Sequence, residues 1–165
     1  MSSETFGSSP LTRLRALLLG AAAVGGIDFL YATIFVVAKG RPWIRPWQGV
    51  ASALLGADSF QGGYRTALFG IVLHFLVAMC IVAVYLIASR RIPILRRQTV
   101  PCGMVFGVIA FFVMNLVIVP RTHIGSHPLV WTPFNIGGLL LHMLLLGPAA
   151  AYFGGRVAWP QGRPS

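Results

Sequence analysis

Four side chains carry most of the chemistry this sequence can offer: Asp28, His74, Asn115 and His142. Each sits inside a long apolar run, one to a run, where a strongly polar group is costly unless it faces a partner. A carboxylate beside an imidazole can hydrogen-bond and hold two helices in register, at about 0.6 kcal/mol per interhelical bond. The same pair can hold a proton, because histidine changes charge near neutral pH. Two histidines at one depth on different helices are also the arrangement a bis-histidine haem needs, and Asp28 could complete a metal site with them. We read the layer first as a structural polar network. Proton-coupled or small-solute translocation, and haem or metal ligation by His74 and His142, stand as the alternatives. No nucleophile elbow, phosphate loop, dinucleotide fingerprint or zinc-protease motif occurs, so an enzyme is not expected.

The elements that must position these residues are apolar and long. The chain has 165 residues, of which 56% are hydrophobic and only 10% charged, against about 25% charged in a soluble domain. The apolar residues fall into four runs, 16–38, 66–89, 100–119 and 133–155. Each is about as long as the 20 residues a helix needs to cross a bilayer, and Asp28 is the only formal charge in any of them. Strand-period alternation is absent, which argues against a barrel. The expected fold is an all-α integral membrane four-helix bundle in one domain, 16–156, with cytoplasmic tails 1–15 and 157–165. An apolar run reaching residue 38 is too long for a cleaved signal peptide, so the first helix is expected to stay.

Charge sets the orientation. The net charge is +10, but the basic residues flank the apolar runs, where topology determinants and headgroup anchors belong. Lipid is therefore the expected partner and nucleic acid is not. With the N-terminus inside, Arg13, Arg15, Arg90, Arg91, Arg96, Arg97, Arg156 and Arg163 share the cytoplasmic side. Lys39, Arg41, Arg45, Arg65 and Arg121 lie opposite. The dense Arg90–Arg97 hairpin favours N-in and C-in in a bacterial inner membrane. On that assignment Asp28, Asn115, His74 and His142 lie about 15, 6, 12 and 13 Å from the outer face, at 1.5 Å per residue. Small residues give their direction: Ala21, Gly25, Asp28 and Ala32 form one stripe, Thr66, Gly70, His74 and Ala78 another, and Gly138 precedes His142 by one turn.

In the first outer loop Trp47, Val50, Ala51, Leu54 and Leu55 recur at helical spacing before a Gly62-Gly63 break. That pattern predicts a short amphipathic helix, read as an interfacial anchor in preference to a lid. In the second outer loop, Trp131 fits an aromatic belt beside His123 and His127. Gly103 and Gly107 form a GxxxG pair suited to contact within the bundle or to a homo-oligomer. Gly147-Pro148 predicts a kink below His142. Cys80 and Cys102 differ in depth by about 12 Å, too far for a disulfide, so both are expected to be free thiols.

The stretches Asp28-Phe29-Leu30-Tyr31, Phe60-Gln61-Gly62-Gly63, Leu73-His74-Phe75 and Leu141-His142-Met143, with the basic hairpin, resemble a group of four-helix bacterial inner-membrane proteins. That group is in turn distantly similar to the YagU-type membrane proteins, which have been linked to acid tolerance. The resemblance covers about residues 16–156 and implies a fold and a location, with no catalytic or binding residues to carry over.

Overall fold

The computed structural model describes residues 9–125 and 128–155; His127, Arg156, Arg163 and the expected C-terminal tail lie outside them. Among the described residues every regular element is helical. Span one is α1, Pro10–Ala38. The lid-side helix α2 follows at Arg45–Leu55, then a 3₁₀ turn, Gly56–Gln61. Span two is α3, Gly63–Arg91, and the basic hairpin holds one short turn, α4, Ile94–Arg97. Span three starts as α5, Thr99–Val113, and continues through a π turn, Met114–Ile118, into a 3₁₀ turn, Val119–Arg121. Span four is α6, Pro133–Leu141, a π turn, His142–Leu146, and α7, Gly147–Gly155. All four spans are long and apolar enough to cross a membrane, and the fold is the expected all-α four-helix bundle.

Span one starts six residues before the expected boundary. Pro10 supplies a preset φ at the first helical position, and the Ser9 hydroxyl accepts from the Thr12 amide at 3.2 Å. Arg13 and Arg15 are thus helical, in what was expected to be a tail. Span four starts where expected because Thr132 caps it, accepting from the Asn135 amide, with Pro133 next in line.

Span four is the hub, packing against each of the other three, while span two also packs on span one. Spans two and three pack on each other far less, meeting where Tyr85 sets its ring edge-on to Phe106 at 5.0 Å. Gly103 and Gly107 explain the closest approach. Pro148 faces Gly103, and the His142 carbonyl and Gly147 face Gly107, so tightly that a β-carbon on either glycine has no room. The GxxxG pair is therefore used inside the chain. Of the two uses the sequence offered, this is contact within the bundle, the small face being covered by span four.

The two π turns have one cause. Proline lacks an N–H and its ring collides with the carbonyl four residues back. For Pro120 and Pro148 those carbonyls belong to Leu116 and Leu144, at the centre of each π turn. The helices take up the misfit by bonding five residues back, Val119 to Met114 and Gly147 to His142. The break expected at Gly147-Pro148 thus takes the form of a π turn beginning at His142.

Helix α2 is amphipathic as expected, but its buried side rests on protein. Trp47 is 1% exposed and Ala51 is fully buried, with the Trp47 carbonyl against Gly70 of span two. Trp47 stacks on Phe29, centroids 4.2 Å apart. The corner is tied by Gln48 Nε2 donating to the Gly63 carbonyl, Ser59 Oγ to Gln48 O and Thr66 Oγ1 to Ser59 O. Gly56 (φ +70°) ends α2 and Gly63 (φ +57°) starts span two, both in the left-handed region that favours glycine. Helix α2 thus covers one end of the bundle through Trp47 and Ala51, which match the small stripe of span two, while Leu54 and Leu55 of the expected apolar stripe stay exposed.

At the opposite end the bundle is closed. Val24, Ala78, Val82, Leu146 and Ala150 form an apolar core. Beyond it the Tyr85 hydroxyl donates to Leu95 O at 2.9 Å, and the Ser89 hydroxyl lies 3.3 Å from Gly154 O. Cys80 and Cys102 are free thiols.

Candidate functional site

The small-residue stripes bring spans one and two together so that His74 reaches across to the span-one backbone. His74 Nε2 lies 3.0 Å from the Gly25 carbonyl. A carbonyl oxygen can only accept, so Nε2 carries the hydrogen. The other nitrogen, Nδ1, is then a bare lone pair in the neutral ring, and it faces Asp28 Oδ2 at 3.9 Å. Two acceptors face each other there unless a proton is bound, on Nδ1 or on the carboxyl. The ring cannot turn away freely: Trp47 of α2 packs edge-on against it at 5.1 Å and Phe75 at 5.4 Å. The Asp28 carboxylate and the His74 Nδ1 lone pair are thus held facing each other in the cavity wall.

His142 and Asn115 satisfy themselves within their own helices. His142 Nδ1 donates to Gly138 O at 2.8 Å, leaving Nε2 as the lone-pair nitrogen. Asn115 Nδ2 donates to Phe111 O at 2.9 Å. Each stands in one of the two π turns, a local widening found frequently at functional sites. So the four residues do not bond to one another as a closed network. They line a common cavity of about 250 Å³ instead, in the half of the bundle nearer α2. That is an order of magnitude above the roughly 10–15 Å³ one water requires. The wall runs along span four from Asn135 to Leu146, about 16 Å at 1.5 Å per residue.

No known protein family, curated protein or solved structure matches this chain. The geometry of the cavity carries the functional reading by itself.

Two more polar side chains line the cavity. Tyr31 lies one turn after Asp28, stacks on Phe134 and donates its hydroxyl to Phe134 O at 2.7 Å. Its i+3 spacing from Asp28 was the signal that could have found it. Asn135 donates Nδ2 to Val130 O at 2.6 Å; a polar residue in a first helical turn is ordinary, so nothing in its spacing singles it out. Removing one such bond has a modest effect: Tyr31→Phe is expected to lower stability by about 1 kcal/mol, read as a small drop in thermal midpoint in mild detergent.

Among the described residues Asp28 is the only formally charged one in the cavity wall, which includes no lysine or arginine. Among the described residues no three His, Cys, Asp or Glu side chains converge as a metal site would require. Towards the α4 end the cavity stops at Val24, Ala78 and Leu146, which belong to the apolar core.

Proposed function

We propose that the chain is a small multi-pass proton translocator of a bacterial inner membrane, N-in and C-in, with the Asp28–His74 pair as the place where the proton is held. The likeness to four-helix bacterial inner-membrane proteins belongs to the same reading. The observation that carries it is the lone pair of His74 Nδ1 facing Asp28 Oδ2 across 3.9 Å beside a cavity. A structural network would be expected to close hydrogen bonds between the polar side chains. Here His142 and Asn115 bond to their own helices and leave the cavity between them. Haem ligation is supported less well, because the free nitrogen of His74 points at Asp28 and its ring is wedged by Trp47 and Phe75.

On this reading the proton enters from the outer side, where α2 partly covers the cavity, and is held between Asp28 and His74. His142, with Nε2 open, is the next acceptor along the cavity. The apolar core of Val24, Val82, Leu146 and Ala150 is the inner barrier. Passing it requires the inner half of span four to move, and the π turn at His142–Leu146 is the place where that helix is already irregular. Liposomes holding the purified chain, loaded with a pH-sensitive dye and driven by a potassium diffusion potential, are expected to change internal pH faster than empty ones. A rate equal to that of empty liposomes would overturn the reading.

A further inference from the structure

The sparse packing between spans two and three, which meet at Tyr85 and Phe106, has a consequence for what the cavity can admit. Where those spans part, an apolar groove of about 310 Å³ runs between them, walled by residues such as Val77, Val84, Ile109 and Val113. Its wall contains no charged side chain. It extends over 77–84 of span two and 106–118 of span three, about 10 Å and 18 Å at 1.5 Å per residue. The groove and the polar cavity share Val77, Ile81 and Met114 as wall residues, so the two lie side by side. An elongated apolar crevice thus adjoins a polar chamber whose only fixed charge, among the described residues, is the Asp28 carboxylate.

We propose that groove and chamber together bind an amphiphilic cation: an alkyl chain in the groove, with an ammonium head at Asp28, entering sideways from the bilayer between spans two and three. The polar chamber next to the groove, with its one carboxylate, is what selects this occupant. A second copy of the chain would cover the groove but leave the chamber unfilled. A phosphate or sulfate head would meet a carboxylate with no arginine or lysine to pair it. An ammonium head meets the carboxylate and the aromatic faces of Tyr31, Phe111 and Phe134 in the same wall. The inference rests on the reading of Asp28–His74 as a proton-holding pair and adds an exchange to it. When the ammonium takes up the carboxylate, the imidazolium of His74 loses its counter-charge. Its Nδ1 proton leaves to water in the cavity, so one cation arrives as one proton departs.

The test uses wild-type chain in zwitterionic liposomes with dodecyltrimethylammonium carrying a mid-chain diazirine, photolysed and mapped by mass spectrometry. Label is expected on 77–84 and 106–118 in preference to the other lipid-facing helix faces. Unlabelled dodecyltrimethylammonium should compete, and dodecyl sulfate should not. Asp28→Asn should lower groove labelling at least about tenfold, the equivalent of losing some 1.4 kcal/mol of binding. Label spread evenly over all lipid-facing faces would overturn the proposal, as would equal labelling by an anionic diazirine of the same chain length. A groove that stays unlabelled and cross-links to a second copy would overturn it too. The anionic probe needs no variant, so a poorly folded Asp28→Asn protein leaves the proposal falsifiable. Proton flux without groove labelling would remove the cation and keep the proton reading; labelling without flux would do the reverse.

Discussion

Asp28→Asn is expected to reduce proton flux through reconstituted liposomes to the level of empty ones while leaving the helical bundle folded. The amide matches the carboxylate in size, so the packing of span one against span two at Gly25 and Ala78 is unaffected. What changes is the partner offered to His74. With Nε2–H bonded to Gly25 O, His74 presents Nδ1 towards position 28. An asparagine can turn its amide N–H towards that lone pair, a neutral arrangement that needs no proton. The proton-holding site is thereby satisfied permanently and stops exchanging. Removing the carboxylate also removes the counter-charge that would hold an imidazolium, and the expected flux loss is about a hundredfold or more. Stability is expected to change by about 1 kcal/mol at most, since Asp28 accepts no short hydrogen bond that would be lost. The decisive comparison is flux against thermal midpoint on one preparation. A variant that conducts like the wild type but melts several degrees lower would return Asp28 to a purely structural role.

Much of this arrangement can be read from residue types before any coordinates. The four spans follow from apolar runs of bilayer length, and no tertiary information is needed to find them. The convergence of Asp28 and His74 follows from the stripes of small residues, because Gly25 and Ala78 let two backbones approach closely enough for a side chain to bridge them. The placement of α2 is different in kind. Amphipathicity tells which face of Trp47–Leu55 avoids water, but lipid and protein are equally apolar, and only the fit of Trp47 over Gly70 decides between them. The π turns were half legible. Pro120 and Pro148 announce a disturbance, yet whether a helix kinks or takes up an extra residue depends on what packs beside it. Here the Gly103–Gly107 face of span three is what lies against span four. The gap between spans two and three is a property of the whole bundle, and no local pattern on either span encodes it.

That same close face yields the largest expected effect on stability. Gly107→Ala is expected to destabilise the fold by about 3 kcal/mol, because the new methyl group would meet backbone on span four. A flexible side chain could swing aside; the His142 carbonyl cannot, since it accepts the π-turn bond from Gly147. Relief requires spans three and four to separate, which loosens the contacts of Gly103 with Pro148 as well. Gly26→Ala is the matched control, because a β-carbon there meets nothing within 4 Å. Gaining helix propensity without a clash, it should be neutral or stabilising by up to about 1 kcal/mol. Thermal unfolding in mild detergent, followed by circular dichroism, should place the two variants on opposite sides of the wild type or nearly so. The consequence reaches the cavity too: any shift of the His142 carbonyl moves the ring whose Nδ1 bonds one turn back to Gly138. Gly107→Ala should therefore lower proton flux even at temperatures where it remains folded, and Gly26→Ala should not. Equal midpoints for the two variants would mean that spans three and four are not packed through Gly107, and the helix arrangement that shapes the cavity would have to be redrawn.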